Sequence, residues 1–157
     1  MPTRVSAEAR INVPVEQAWA FLRDLTRANQ YVPGVTECTI TTERREGVGA
    51  SRRVVSKAAG PMDETVTEWN EGNGFVIRLH RGEGDPAIFR DASFRYAIEA
   101  DGDGTRATLT LSYAPKGGPL GGLIDWLFLR RFTAKNVRET ALGLARHYEA
   151  SAAAHSE

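Results

Sequence analysis

With 157 residues the chain has the length of one domain, in which roughly 68–70% of the unfolded surface can be buried and a core can enclose a pocket. Twenty lysines and arginines balance twenty aspartates and glutamates, so no overall field gathers nucleic acid or draws the chain to an anionic membrane. The single cysteine, Cys38, excludes an internal disulfide and a thiolate metal cluster and fits a reducing cytoplasm.

Val5, Ala7, Ala9, Ile11 and Val13 alternate with Arg4, Ser6, Glu8, Arg10 and Asn12, the period of a strand with one wet face. Pro14 and Glu16 suit the first turn of a helix whose apolar face is Ala18, Trp19, Phe21, Leu22 and Leu25. Thr26 is placed to cap a second short helix through Gln30, which Pro33 and Gly34 close. From Val35 to Tyr113, breaks near 46–49, 59–62, 71–74, 82–86 and 101–104 separate six strands. Asp101-Gly102-Asp103-Gly104 is the clearest hairpin signal, because aspartate and glycine tolerate the positive backbone angles of a tight turn. A last helix is expected from near Pro119 to about Ala150, with a stripe running from Leu120 through Leu127 and Phe132 to Tyr148. At 1.5 Å per residue it spans ~45 Å, enough to cross a seven-stranded sheet. Trp126 and Leu129 make its first half apolar almost all round, so that half is expected to border a pocket or be covered on more than one side.

This order predicts an α+β fold: a seven-stranded curved antiparallel sheet wrapped around a long C-terminal helix, with two short helices after strand 1. Residues 1–150 are read as a single domain and 151–157 as a frayed tail. Met1 to Ala9 lacks the apolar stretch of a signal peptide. The most apolar window, Leu120 to Leu129, is broken by Asp125 and is well short of the ~20 residues that span a bilayer. The expectation is a cytoplasmic protein, monomer or homodimer, without stable membrane insertion or a nucleic-acid partner.

The element order resembles the START-like (SRPBCC) helix-grip superfamily, and local stretches narrow the likeness to its polyketide cyclase/dehydrase-like branch. Val13-Pro14-Val15-Glu16-Gln17-Ala18-Trp19 is similar to the first strand-to-helix junction of that branch. Thr65-Val66-Thr67-Glu68-Trp69-Asn70, Asp101-Gly102-Asp103-Gly104-Thr105 and Gly117-Gly118-Pro119-Leu120-Gly121 resemble it at the expected places. The resemblance covers nearly the whole chain and speaks to fold more than to function, since the superfamily holds cyclases, lipid and hormone binders, and proteins without an assigned role.

A helix held off a concave sheet leaves a cavity suited to apolar molecules. In the apolar register Phe94, Tyr96 and Ile98 point inward from one strand, and Leu109, Leu111 and Tyr113 from its hairpin partner. Arg90 shares the first register, where its guanidinium would hold a ligand carboxylate or carbonyl, unless it lies at a strand end facing water. Tyr96 and Tyr113 offer phenolic donors or packing. Tyr31, where the short helix returns to the sheet, either gates the pocket or anchors a turn, and Leu127 and Phe128 are expected at the cavity from the helix. Histidine is the side chain suited to act as a base near neutral pH, but His80 alternates with Phe75, Ile77 and Leu79, which puts it on the outer face with Arg78. On the strand of Glu64 and Glu68, the inner face is expected to be Thr65, Thr67 and Trp69, because an inward carboxylate is desolvated unless Arg90 or another cation meets it. A buried Glu64 paired with an arginine would then point to function.

No HExxH or paired-cysteine spacing and no nucleotide loop occurs, so neither metal nor cofactor is expected. Arg130, Arg131 and Lys135 form a basic patch, read as a solvated helix face or as a site for the anionic headgroup of a ligand or for a partner surface. The reading is a protein that binds a hydrophobic small molecule of lipid, polyketide or aromatic type between sheet and helix. Its alternatives are a cofactor-independent cyclase/dehydratase using Arg90, Tyr113 or His80, and an interaction module using the apolar start of the last helix.

Overall fold

The alternation of the first segment makes β1 (Thr3–Ile11), in which Val5, Ala9 and Ile11 are buried while Arg4, Ser6, Glu8 and Arg10 face water. It pairs antiparallel with β7 (Gly104–Pro115), from Thr3 opposite Tyr113 to Ile11 opposite Thr105. Between them β2 (Val35–Ile40), β3 (Ser51–Ser56), β4 (Gly60–Asn70), β5 (Gly74–His80) and β6 (Phe89–Asp101) follow as hairpins. The result is one seven-stranded antiparallel sheet in the order β1-β7-β6-β5-β4-β3-β2. This computed structural model describes residues 2–86 and 89–155, without the side chain of His155.

After β1 come α1 (Val15–Leu22), a 3-10 turn (Leu25–Arg27) and α2 (Ala28–Tyr31). The cap of the second helical segment is Asp24, whose Oδ1 accepts from the Thr26 amide at 3.1 Å and the Thr26 hydroxyl at 2.6 Å. Thr26, the residue expected to cap, is thus the donor, because the charged carboxylate satisfies the first free amide more strongly than a hydroxyl does. After β7 the long helix has three parts: α3 (Gly118–Ile124), a π turn (Asp125–Leu129) and α4 (Arg130–His155). It continues past Ala150 through Ser151 to His155.

α4 lies on the concave face against β1, with Val137, Ala141, Leu144, Ala145 and Tyr148 buried. Each large side chain among these contributes about 1.5–3 kcal/mol by leaving water. Gly143 lets α4 reach α2: a Cβ there would stand 2.5 Å from the Tyr31 carbonyl oxygen. This is the seven-stranded curved sheet around a C-terminal helix of the helix-grip architecture.

Two bulges set which residues face α4. In β6 the register shifts between Arg90 and Ser93, with Asp91 at φ 50°, so Phe89 and then Ala92, Phe94, Tyr96 and Ile98 turn inward. In β4 it shifts between Val66 and Glu68, so Glu64 and Val66 face in before the bulge and Trp69 after it. An extra residue reverses the alternation downstream of it.

Candidate functional site: a cavity beneath the long helix

The inward residues of β3 to β7 and the middle of the long helix line an open-mouthed cavity of about 260 Å³. Its wall is mostly apolar, from Val32, Leu79, Phe89, Phe94, Leu111 and Phe132. Glu64 and Tyr96 bring ionisable groups to it, and Thr133, Asn136 and Thr140 bring polar ones from α4.

Behind Glu64 stands Arg52, a guanidinium 2% exposed in the interior. Its Nε donates to Glu64 Oε2 at 2.6 Å and its Nη1 to the Leu25 carbonyl at 2.8 Å. Nη2 is buried and completes no hydrogen bond of normal geometry. Burial is the largest influence on Arg52 and opposes its charge, but the Glu64 carboxylate together with Tyr31, Tyr96 and Cys38 outweighs it, and the guanidinium stays protonated. Burial likewise pushes the Tyr31 phenol up, against the pull of Arg52, and pushes the Tyr96 phenol well above its usual range. Tyr96 therefore stays neutral, with its hydroxyl in hydrogen-bonding reach of Tyr31. The rings of Tyr31 and Tyr96 meet edge-on at 6.4 Å, and Tyr31 also touches Tyr148 at 6.3 Å.

The predicted residues divide among several places. Phe94, Tyr96 and Leu111 line the cavity, and Leu109 lies further along β7 in the core. Tyr31 is buried beside Tyr96, behind the wall. Trp69 packs edge-on against Trp19 at 5.2 Å and stacks on Phe75 at 5.6 Å, donating its indole N–H to Glu71. Arg90 is exposed, because the β6 bulge lies between it and the inward register it was expected to share. His80 is on the outer face, Nδ1 donating to the Gly82 carbonyl at 2.6 Å and Nε2 paired with the Thr65 hydroxyl at 2.8 Å. Thr65 bonds to Ser51 on that same outer side, so the inner face of β4 carries Glu64 and not the threonines. Leu127 and Phe128 are 41% and 69% exposed, turned to solvent because the π turn buries Asp125 in their stead.

Tyr113 is fully buried but serves that aspartate. Its hydroxyl donates to Asp125 Oδ1, and the Thr3 hydroxyl donates to Oδ2 at 2.7 Å. Burial first, then the Asp125 hydrogen bond, push the Tyr113 phenol up to about 12. This cluster ties the π turn to β1 and β7. Tyr113→Phe leaves the buried carboxylate one donor short, and the expected loss is about 1–3 kcal/mol. Thermal unfolding followed by circular dichroism should then show a Tm lower by about 2–4 °C for each kcal/mol. An unchanged Tm would mean that the cluster does not hold the helix.

Arg52 and Asp125 were not singled out from sequence. Arg52 did carry a signal: in Ser51–Ser56 it shares a face with Val54, so an arginine is in register with an apolar residue. Among the described residues no group of three or more His, Cys, Asp or Glu is placed to hold a metal ion. No helix among them is long and apolar enough to cross a membrane.

The family model described as "Polyketide cyclase / dehydrase and lipid transport" matches residues 2–149. No curated protein matches the chain. Among solved structures, TTHA0849 from Thermus thermophilus is 27% identical, covers 95% of this chain and 99% of its own, and superposes with a TM-score of 0.71. Ara h 8.0201 is 15% identical over 94% of this chain and 98% of its own, with a TM-score of 0.69. A protein of Nitrosospira multiformis is 13% identical over 93% and 96%, with a TM-score of 0.66. The last two likenesses speak to the fold alone.

Proposed function

Because the chain belongs to the polyketide cyclase/dehydrase and lipid transport family, we propose that it binds a compact, mostly apolar molecule with one polar end in the cavity beneath α4. The observation that carries this reading is the pairing of an apolar wall with a Glu64 carboxylate held by buried Arg52. Phe94, Leu111 and Phe132 would cover the ligand's body, while Tyr96 donates to a carbonyl or Glu64 accepts from a hydroxyl. A volume of about 260 Å³ lies just below the ~300–1,000 Å³ usual for ligand pockets, which favours a single chain or fused-ring molecule over a two-chain lipid. Burying ~300 Å² of apolar ligand surface at ~25 cal/mol/Å² gives roughly 7 kcal/mol before the costs of binding.

A cofactor-independent cyclase or dehydratase would draw on the same wall, with the neutral Tyr96 phenol holding a carbonyl and Glu64 at hand. Turnover of a bound polyketide, as against its unchanged recovery, separates that reading from carriage alone.

Native mass spectrometry tests the proposal, first on the purified protein and then after exposure to a panel of fatty acids, flavonoids and polyketides. The expected result is a one-to-one adduct that is lost when Asn136→Trp places an indole at the cavity, with Tm retained. A spectrum that stays unliganded across the whole panel would overturn it.

A further inference from the structure

The start of the C-terminal helix does not bury the apolar surface its sequence carries. Leu120, Leu123, Trp126, Leu127, Phe128 and Phe132 are each 41–69% exposed. Exposed apolar residues standing singly are ordinary, but a contiguous set of this size marks a contact surface. These side chains are also held in place. Gly121 packs against the Lys116 carbonyl at the end of β7, and Asp125 is fixed inward by Tyr113 and Thr3, so its neighbours Trp126 to Phe128 are directed outward.

The charges of the segment separate the candidates for what covers it. From Lys116 to Arg138 the cations are Lys116, Arg130, Arg131, Lys135 and Arg138, none of them buried. The sole acid in that span, Asp125, is buried and hydrogen-bonded. At the edge of this span Lys135 pairs with Glu139 at 3.8 Å, and Lys116, Arg130, Arg131 and Arg138 leave its protruding aromatic and aliphatic side chains flanked mainly by positive charge. A second copy docking this face on itself would set Arg130 and Arg131 against their own counterparts, which costs affinity. A surface that takes up apolar side chains while offering negative charge at their rim is an anionic phospholipid bilayer. Tryptophan settles at headgroup level, and tryptophan, phenylalanine and leucine beside lysine and arginine are the pattern of a helix that lies in the interface.

The geometry points to a peripheral membrane site: the apolar and cationic face of residues 116–138 docks on an anionic bilayer, with Trp126 and Phe128 inserted at the headgroup region. The site adjoins the cavity. Phe132 lines both the 260 Å³ cavity and a surface groove of about 380 Å³ bounded by Pro115, Ile124 and Leu129, so docking sets the groove and its shared wall against the lipid. An exchange of ligand between bilayer and cavity would rest on the binding role proposed above, whereas docking itself does not.

The test is flotation of the full chain with large vesicles of phosphatidylcholine alone, or with about 30% phosphatidylserine, at low salt and at about 0.5 M salt. Binding is expected with phosphatidylserine at low salt, weakened by salt. It should fall by roughly tenfold or more in Arg130→Glu/Arg131→Glu and in Trp126→Ser/Phe128→Ser, none at a buried position, so that the variants should keep the wild-type Tm. Failure to float with phosphatidylserine, equal binding to both compositions, or unaltered binding by the folded variants overturns the proposal. So does a dimer in sedimentation equilibrium that Trp126→Ser/Phe128→Ser dissolves. Ligand uptake by native mass spectrometry, measured on the same samples, distinguishes a failure of docking from a failure of the cavity reading.

Discussion

Arg52→Ala is expected to lower the unfolding free energy by about 3–5 kcal/mol, the range found when one partner of a buried ion pair is removed. The substitution takes a donor from Glu64 Oε2 and another from the Leu25 carbonyl, and leaves a carboxylate at an apolar wall. The attraction within the pair is not what is lost; the desolvation of the stranded partner is. The double variant Arg52→Met/Glu64→Leu, which removes both charges and keeps the volume apolar, should therefore recover most of the stability. Urea unfolding of Arg52→Met, of Glu64→Leu and of the double variant gives the coupling directly. A loss below about 1 kcal/mol for Arg52→Ala would show that water reaches Glu64 and that the pair is not buried in solution. The double variant also isolates function. If the pair anchors a ligand's polar end, the protein should be stable and yet take up its ligand roughly tenfold more weakly. Undiminished uptake would leave the pair a structural role.

The contrast between Arg52 and Arg90 shows what the sequence conveys and what it leaves hidden. The strands, the hairpin breaks and the long helix follow from alternation and turn residues, which act locally, and the family resemblance read from the same stretches is matched over residues 2–149. Which side chains face inward depends on parity, and one added residue at Asp91 or after Val66 reverses it without any mark in the composition. So Arg90, readable as an inward anchor or as a strand-end residue facing water, is exposed, and the arginine inside sits on β3, where Val54 two residues on was the available clue. Glu64 shows the same logic from the other side: the condition that a cation meet an inward carboxylate was sound, and Arg52 meets it.

At the start of the long helix the sequence misleads for a different reason. Apolar residues all round a helix indicate cover, but not whether sheet, partner or lipid supplies it. Asp125 within the apolar window held the missing information, since a carboxylate that finds Tyr113 and Thr3 fixes the rotation of the turn and sends Leu127 and Phe128 outward. Likewise a net charge of zero conceals a segment whose solvent-facing charges are all positive. Totals exclude a global field and say nothing of a local one.

Two adjacent glycines put that anchoring to the test, because helix propensity treats them alike and packing does not. By propensity, glycine to alanine within a helix gains about 0.8–1 kcal/mol. At Gly122 nothing stands within 4 Å of an added Cβ, so Gly122→Ala should stabilise by up to that amount. At Gly121 the Cβ would stand 1.8 Å from the Lys116 carbonyl oxygen, a backbone atom that no side-chain rotation can move away. Gly121→Ala must drive α3 from the end of β7, and with it Asp125 from Tyr113 and Thr3, at an expected loss of about 3 kcal/mol or more. The loss is bounded by what it takes to release the segment, so the sheet can remain folded. Hydrogen exchange should then show amides of residues 120–129 losing protection while β5, β6 and β7 keep theirs. If Gly121→Ala instead proves as stabilising as Gly122→Ala, the helix start is not docked on β7, and the orientation of Trp126 and Phe128 loses its physical cause.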